Sequence, residues 1–326
     1  MDTPIVDVLI PTAGSPASLG ATLASLANQR YPSFRVTAAL PRPAGSEAPQ
    51  LSGLVWVLET RGHAVRLVDA SGSPLDGGRA QALFDRAAAE YVLVVDDGVF
   101  LEADLMGRLV AGIRASGSAF VGSNVVDLRF RDEHRPEEEA IEFWDGPVRP
   151  EEIGVESRGW ARRKVHRGAN LQHLRERLPR TRDRLYRVAD IAGCVLYDTA
   201  KLRSVGGFRP ARDHGRRRSI PSTSASATQL RLLERYGGAG LFPSGAYRLT
   251  PIASEPLPRP AVQPAERDVV GGHAEPGRAV PPSRFAAGRP VRLSRRLRRF
   301  SWARTEPRRH TGTPGIRRHR RGGTVG

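Results

Sequence analysis

The amino-acid sequence predicts an α/β fold in which a mostly parallel sheet is flanked by helices. Three observations lead to this prediction. Short, largely apolar runs, such as residues 5–10 and the unbroken run Tyr91–Val95, are typical of strands that are buried on both faces. Segments with apolar residues at helical spacing follow these runs. The two kinds of segment alternate, as they do in βαβ units with right-handed crossovers.

The first predicted strand, residues 5–10, leads into a loop at 11–14 and then a helix. Ser15 is a typical N-cap, and Pro16 suits the first helical position because its fixed φ is already helical. Phe34–Leu40 is the second predicted strand. The loop at 11–14 should therefore face the ligand crevice, next to a helix N-terminus that favours an anion.

The next stretch predicts a polar loop over residues 41–53, a short helix ending near residue 62 and a strand at 65–68. A further helix is predicted over residues 80–89, opened by two glycines and Arg79. An arginine at that helix start could reach a nucleotide base or a diphosphate. A surface arginine on a helix explains the same pattern equally well.

An acidic pair ends the central predicted strand. Asp96 and Asp97 follow Tyr91–Val95 directly, at the edge where open α/β sheets bind their ligands. Carboxylates bind hard cations, so the pair could hold Mg²⁺ or Mn²⁺ against a phosphate. The alternative is a solvated turn. A helix with apolar residues at every fourth position is predicted from Leu101, and Gly117 closes it.

Charge divides the chain into two parts. The 326 residues carry a formal charge of +17, but residues 1–208 carry −1 and residues 209–326 carry +18. Residues 250–326 are rich in Arg, Pro and Gly, so we expect a disordered tail after a domain spanning 1–249. The arginine clusters of this tail could contact nucleic acid or an anionic membrane surface without specificity.

The single cysteine, Cys194, excludes an internal disulfide framework. No signal peptide is visible, and no apolar run reaches the roughly 20 residues of a membrane-spanning helix. We therefore expect a cytoplasmic protein, with a membrane-peripheral location as the alternative.

Several segments together resemble bacterial glycosyltransferases of family two, which have the GT-A fold. Each segment is weakly specific, but their shared order covers most of residues 1–208 and a second patch at 229–247. The segments are VDVLIPT (6–12), SLANQRYPSFRV (25–36), YVLVVDDGVFLEADL (91–105), AIEFWDGPVRPE (140–151), ANLQHL (169–174), YRVADIAGCVLYDTAKLRSVGGF (186–208) and QLRLLERYGGAGLFPSGAY (229–247).

The resemblance implies an inverting transfer of a sugar from a nucleotide-diphosphate donor to a hydroxyl of a glycan, a lipid-linked acceptor or a small molecule. It implies Mg²⁺ or Mn²⁺ as the cofactor, because a cation would neutralise the diphosphate leaving group. The implied donor-binding residues are Pro11, Thr12, Ala13, Arg79 and Asp96, the metal ligands are Asp96 and Asp97, and the acceptor side includes Trp144 and Gly193.

The sequence departs from the family pattern where catalysis needs it most. Gly98 replaces a third acid, Leu40 stands near the place of a base-reading Asp, and Arg248 replaces a histidine metal ligand. The acceptor base is expected within residues 209–228, where Asp213 is the one acid and thus a weak catalytic candidate. One hypothesis is that 209–228 and 250–326 are products of a shifted reading frame. The alternative function is a non-catalytic α/β module with a nucleic-acid-binding or surface-binding tail.

Overall fold

The computed structural model describes residues 3–12, 16–40, 49–70, 72–74, 77–154, 156–178, 182–209 and 224–249. The strands are β1 (Val6–Pro11), β2 (Phe34–Leu40), β3 (Val65–Asp69), β4 (Tyr91–Val95), β5 (Val99–Leu101), β6 (Phe120–Gly122), β7 (Val125–Asp127), β8 (Arg184–Tyr186), β9 (Cys194–Asp198), β10 (Gly238–Phe242) and β11 (Ala246–Arg248). The helices are α1 (Pro16–Ala27), α2 (Pro49–Thr60), α3 (Gly78–Phe84), α4 (Leu105–Ser116), α5 (Asn170–Arg177), α6 (Thr199–Ser204) and α7 (Ser224–Tyr236). Short 3-10 helices span Leu128–Phe130, Pro136–Glu138 and Arg158–His166.

Eight strands form the main sheet in the order β3-β2-β1-β4-β9-β6-β10-β8. All of them run in one direction except β8 and β9, which are antiparallel to their neighbours. The predicted α/β class with a mostly parallel sheet is therefore confirmed. A second sheet, β5-β11-β7, lies beyond the end of β4.

Both faces of the sheet are buried, which explains the largely apolar runs. Val6, Val8 and Ile10 of β1 join a core that includes residues of α1 and α4. Leu9, between them, joins a second core that includes residues of α3 and α7. Burying each large aliphatic side chain contributes about 1.5–3 kcal/mol, so both layers of helices hold the sheet in place.

Helix α2 corrects the predicted loop over residues 41–53, because the helix already begins at Pro49. Proline is compatible with the first turn of a helix, where its missing N–H has no partner to lose. Leu51 and Leu58 are buried in the first core, with Leu54 packed against it. Their helical spacing outweighs the glycine and serine that suggested a loop.

Helix α3 ends at Phe84, so the predicted helix over residues 80–89 is too long. The carboxylate of Asp7 on β1 accepts hydrogen bonds from the backbone N–H groups of Ala88 and Ala89, both at 2.8 Å. These two bonds hold the chain outside the helix, so that it turns directly into β4. A contact between distant residues thus overrides local helix propensity.

Strand β5 replaces the predicted first turn of the next helix, which begins at Leu105 and not at Leu101. Residues 99–101 pair with β11, far along the chain, so local periodicity could not reveal them. The predicted end is confirmed, because Gly117 has a positive φ of 63° at the helix C-cap.

Some predictions fall outside the described residues. They concern the N-cap Ser15, the donor-binding Ala13, the catalytic candidate Asp213 and the tail from residue 250. Cys194 is a free, buried thiol in β9. None of the described helices has the length and apolar character needed to cross a bilayer.

Candidate active site

The carboxyl ends of β1 and β4 bring Thr12 and Asp97 together. The two strands are parallel neighbours, with Leu9 opposite Val94, so the residues that follow them meet at one edge of the sheet. The buried hydroxyl of Thr12 donates a 2.7 Å hydrogen bond to Asp97 Oδ2. The resemblance implied donor binding for Thr12 and metal binding for Asp97, and the fold makes the two residues direct partners.

Residues of helix α1 form hydrogen bonds with the turn at 96–99, which carries the acidic pair. Gly98 N donates to the carbonyl of Ser18 at 3.0 Å, and Val99 N donates to the hydroxyl of Thr22 at 3.2 Å. The same hydroxyl donates a longer bond, 3.4 Å, to the carbonyl of Asp96. These bonds fix the backbone of the turn that carries the acidic pair.

Gly193 lies against Asp96, where β9 begins. The backbone N–H of Asp96 donates to the carbonyl of Gly193 at 2.9 Å. Gly193 has φ +85°, and a Cβ placed there would lie 2.3 Å from Val125 Cγ2 and 3.5 Å from Asp96 Oδ2. Only glycine suits this conformation and this close approach. The residue implied for the acceptor side is thus in direct contact with the acidic pair.

Arg79 reaches the same edge from the first turn of α3. It is buried, with 7% of its surface exposed, and Nη1 donates a 2.6 Å hydrogen bond to the carbonyl of Thr12. Its Nε is also buried but has no hydrogen-bond partner among the described residues. The guanidinium is therefore positioned by the loop after β1 and still has a donor to offer.

The carboxyl group of Asp96 lies in an unusual electrostatic environment. The pKa of Asp96 is raised, chiefly because burial removes the carboxylate from water. The nearby charge of Arg248 opposes this rise, and the charge of Asp97 adds to it. Sequence reasoning noted Arg248 as a departure but assigned it no role. The sequence did contain one signal of its importance, because Arg248 stands where the resemblance implies a metal ligand.

A cavity of about 560 Å³ opens beside Gly193, since Ala192 lies in its wall. Asp190 also lines it, and its carboxylate accepts bonds from Arg163 Nε at 2.8 Å and Ser226 Oγ at 2.6 Å. His166 lines the same cavity, and burial lowers its pKa to about 4. The sequence analysis did not identify this cavity, because its walls come from distant segments.

Trp144, implied for the acceptor side, lies elsewhere. Its backbone N–H donates to Leu185 of β8, the edge strand four places from β4 and roughly 19 Å away at about 4.8 Å per strand. The guanidinium of Arg187 stacks on its ring at 3.9 Å. The structure therefore does not bring Trp144 to the acidic pair.

A second group of metal-ligand types comprises His134, Glu139 and His173. His173 Nδ1 lies 3.2 Å from Glu139, and its Nε2 lies 2.7 Å from the carbonyl of Arg131. The other oxygen of Glu139 pairs with Arg177. Both ring nitrogens of His173 are therefore engaged with protein groups, and we assign this cluster a structural role.

No family model and no curated protein matches this chain. Among solved structures, S. aureus TarS 1-349 is similar at TM-score 0.47 and 16% identity, covering 74% of this chain and 59% of that one. Its complex with UDP-GlcNAc has TM-score 0.46 and 15% identity, covering 74% and 57%. The mannosyltransferase PcManGT from Pyrobaculum calidifontis, in complex with GDP-Man and Mn²⁺, has TM-score 0.47 and 16% identity, covering 78% and 59%. This chain spans less than two thirds of each of these chains.

Proposed function

We propose that this chain is a glycosyltransferase of family two that binds a nucleotide-diphosphate sugar at the carboxyl ends of β1 and β4. One observation carries the proposal. Asp97 and the loop after β1 are joined through Thr12, and the buried Arg79 offers an unpaired N–H at the same place. Carboxylates that can hold a cation lie here beside an unpaired guanidinium N–H. This combination is better explained by a diphosphate site than by a solvated turn. The order of the family-like segments supports the same function.

In this proposal Pro11, Thr12 and Ala13 hold the nucleotide, and Arg79 donates from Nε to a diphosphate oxygen. Asp96 accepts from the ribose. A guanidinium is well suited to this task because its planar donors match phosphate oxygens. The hydrogen bond from Arg79 to the carbonyl of Thr12 keeps the side chain in place before the donor arrives.

Asp96 and Asp97 would hold Mg²⁺ or Mn²⁺ in this proposal. Their two carboxylates fit a cation whose remaining ligands are waters and substrate phosphates, which is the usual arrangement for Mg²⁺. When bound, the cation would neutralise negative charge on the leaving diphosphate. The hydroxyl of Thr12, bonded to Asp97 Oδ2, orients that carboxylate.

The proposed reaction is an inverting displacement. The acceptor oxygen forms a bond to the anomeric carbon, the bond from that carbon to the diphosphate breaks, and the electron pair leaves with the phosphate oxygen. The acceptor proton needs a carboxylate base. Asp213 lies outside the described residues, and Asp190 in the cavity wall already accepts bonds from Arg163 and Ser226. We therefore propose that donor binding persists while transfer is slow.

A thermal-unfolding assay tests the proposal. With Mn²⁺ present, UDP-glucose, UDP-GlcNAc or GDP-mannose should raise the melting temperature, since a ligand that binds only the folded state stabilises it. Replacing both Asp96 and Asp97 by alanine should abolish the metal-dependent part of this shift. The matched control is Asp132→Ala with Glu133→Ala, because these adjacent acids are exposed. If the Asp96/Asp97 variant kept the full difference between the shifts in Mn²⁺ and in EDTA, the acidic pair would not be the metal site.

The charge of +18 on residues 209–326 supports a second candidate, a module that binds nucleic acid or an anionic membrane surface. Such binding weakens steeply as salt rises, whereas nucleotide-sugar binding in a formed site does not. Titration of random-sequence RNA and of UDP-GlcNAc at 50 mM and 300 mM salt separates the two functions. We place the enzyme in the bacterial cytoplasm, with peripheral membrane contact as the alternative.

A further inference from the structure

Arg248 has a fixed position beside the acidic pair. Strand β11 pairs Arg248 with Val99 on one side and with Asp127 on the other. The next backbone N–H, of Leu249, donates to the carbonyl of Gly98 at 3.2 Å. The residue is therefore anchored directly alongside the turn that carries the two carboxylates, and its charge influences Asp96.

One nitrogen of the Arg248 guanidinium lacks a hydrogen-bond partner among the described residues. This nitrogen, Nη1, is buried without a hydrogen-bond acceptor, and no carboxylate among the described residues lies within ion-pair distance. Asp127 is near, but Arg129 occupies its carboxylate, with Nη2 at 2.6 Å and Nε at 3.0 Å. Buried donors without acceptors are rare in folded proteins, because they have lost their bonds to water. Arg248 therefore points to an acceptor that arrives with a ligand.

The chemistry around Arg248 limits what that ligand can be. Arg79 offers a second unpaired buried donor on the β1 side of the acidic pair. Two guanidinium groups around one site match a ligand with several anionic oxygens. The carboxylates of Asp96 and Asp97 would repel such an anion unless a positive charge intervened. A diphosphate fits, provided that Arg248 supplies this charge.

We propose that Arg248 is a built-in counter-cation that binds the donor diphosphate directly, so that nucleotide diphosphate binds without a divalent cation. This inference rests on the proposed function. Guanidinium has no lone pair to offer a metal and carries its own positive charge. Where the resemblance implies a neutral histidine ligand, this side chain would replace part of the cation's role and would weaken metal binding at Asp96.

Calorimetric titration of the full chain with UDP and with GDP, in 1 mM Mn²⁺ or in EDTA, tests the inference. The unmodified protein should bind one of them in EDTA with a Kd within about threefold of that in Mn²⁺. Arg248→Gln should weaken binding in EDTA tenfold or more, about 1.4 kcal/mol. The control is Arg114→Gln, which removes the same charge at an exposed position on α4. Thermal melts without nucleotide verify that each variant is folded.

A second variant measures the metal directly. Arg248→His should bind Mn²⁺ more tightly than the unmodified protein by electron paramagnetic resonance, without any nucleotide present. The same variant should bind nucleotide in Mn²⁺ but not in EDTA. Binding by the unmodified protein that requires Mn²⁺ would overturn the role of Arg248 and leave the proposed function intact. Retained binding of Arg248→Gln in EDTA would overturn it too, whereas no nucleotide binding in either condition would refute the proposed function itself.

Discussion

Replacing Gly193 by alanine should destabilise the protein by about 2–5 kcal/mol. The positive φ of +85° costs an L-residue roughly 1–2 kcal/mol. The added methyl would lie 2.3 Å from Val125 Cγ2, and forcing extra volume into a packed site costs about 1–3 kcal/mol more. The backbone carbonyl of Gly193 accepts the hydrogen bond from Asp96 N. A main-chain shift that makes room for the methyl would therefore displace Asp96 and should weaken nucleotide binding.

Gly206 offers a matched control for this prediction. Its φ is +87°, nearly the same, but a Cβ there meets nothing within 4 Å. Gly206→Ala should therefore lose only the conformational part, about 1–2 kcal/mol. Urea unfolding measures both free energies. Equal losses at the two positions would show that the contact with Val125 is not tight, and the reasoning would fail.

A double-mutant cycle isolates the contact itself. Val125→Ala removes the atom that the new methyl would strike, so the two substitutions together should destabilise less than the sum of their separate effects. We expect a favourable coupling of about 1 kcal/mol or more. Additive effects would mean that the main chain moves Gly193 away from Val125 at no measurable cost.

Two further predictions concern acid stability and the origin of residues 209–228. Burial lowers the pKa of His166 to about 4, with Asp190, Arg163 and Tyr186 around it, so the unfolded chain binds a proton that the folded chain does not. Stability should therefore fall as pH drops from 6.5 to 4, by at most about 3 kcal/mol, and urea midpoints of His166→Gln should lack this component. The coding DNA, read in its alternative frames, should place a Glu-Asp pair between residues 208 and 229; without such a pair the hypothesis of a shifted frame is wrong.

Local sequence was sufficient to predict the parts of the fold whose burial is uniform along a segment. Tyr91–Val95 and Phe34–Leu40 have the predicted strand bounds. For Tyr91–Val95 the reason is that an uninterrupted apolar run has few other stable environments. The end of α4 at Gly117 was equally predictable, since glycine takes the left-handed conformation at low cost. The location of the acidic pair at the edge of the sheet was also predictable, because the pair comes directly after such a strand.

Long-range pairing determined what local sequence could not reveal. The end of α3 depends on the carboxylate of Asp7, about eighty residues earlier. Strand β5 exists because β11 pairs with it. The resemblance marked Arg248 as a departure, but its surroundings depend on the register of β11 between β5 and β7. These contacts join segments whose own patterns carry no trace of one another.

The order of strands in the main sheet has a consequence for synthesis on the ribosome. Strand β9 inserts between β4 and β6, and β10 inserts between β6 and β8, so late segments fill gaps between early ones. A nascent chain that ends before Cys194 leaves β4 as an exposed edge of apolar residues. Such edges recruit other chains and chaperones. Premature termination before β9 should therefore yield a fragment that aggregates and not a smaller working domain.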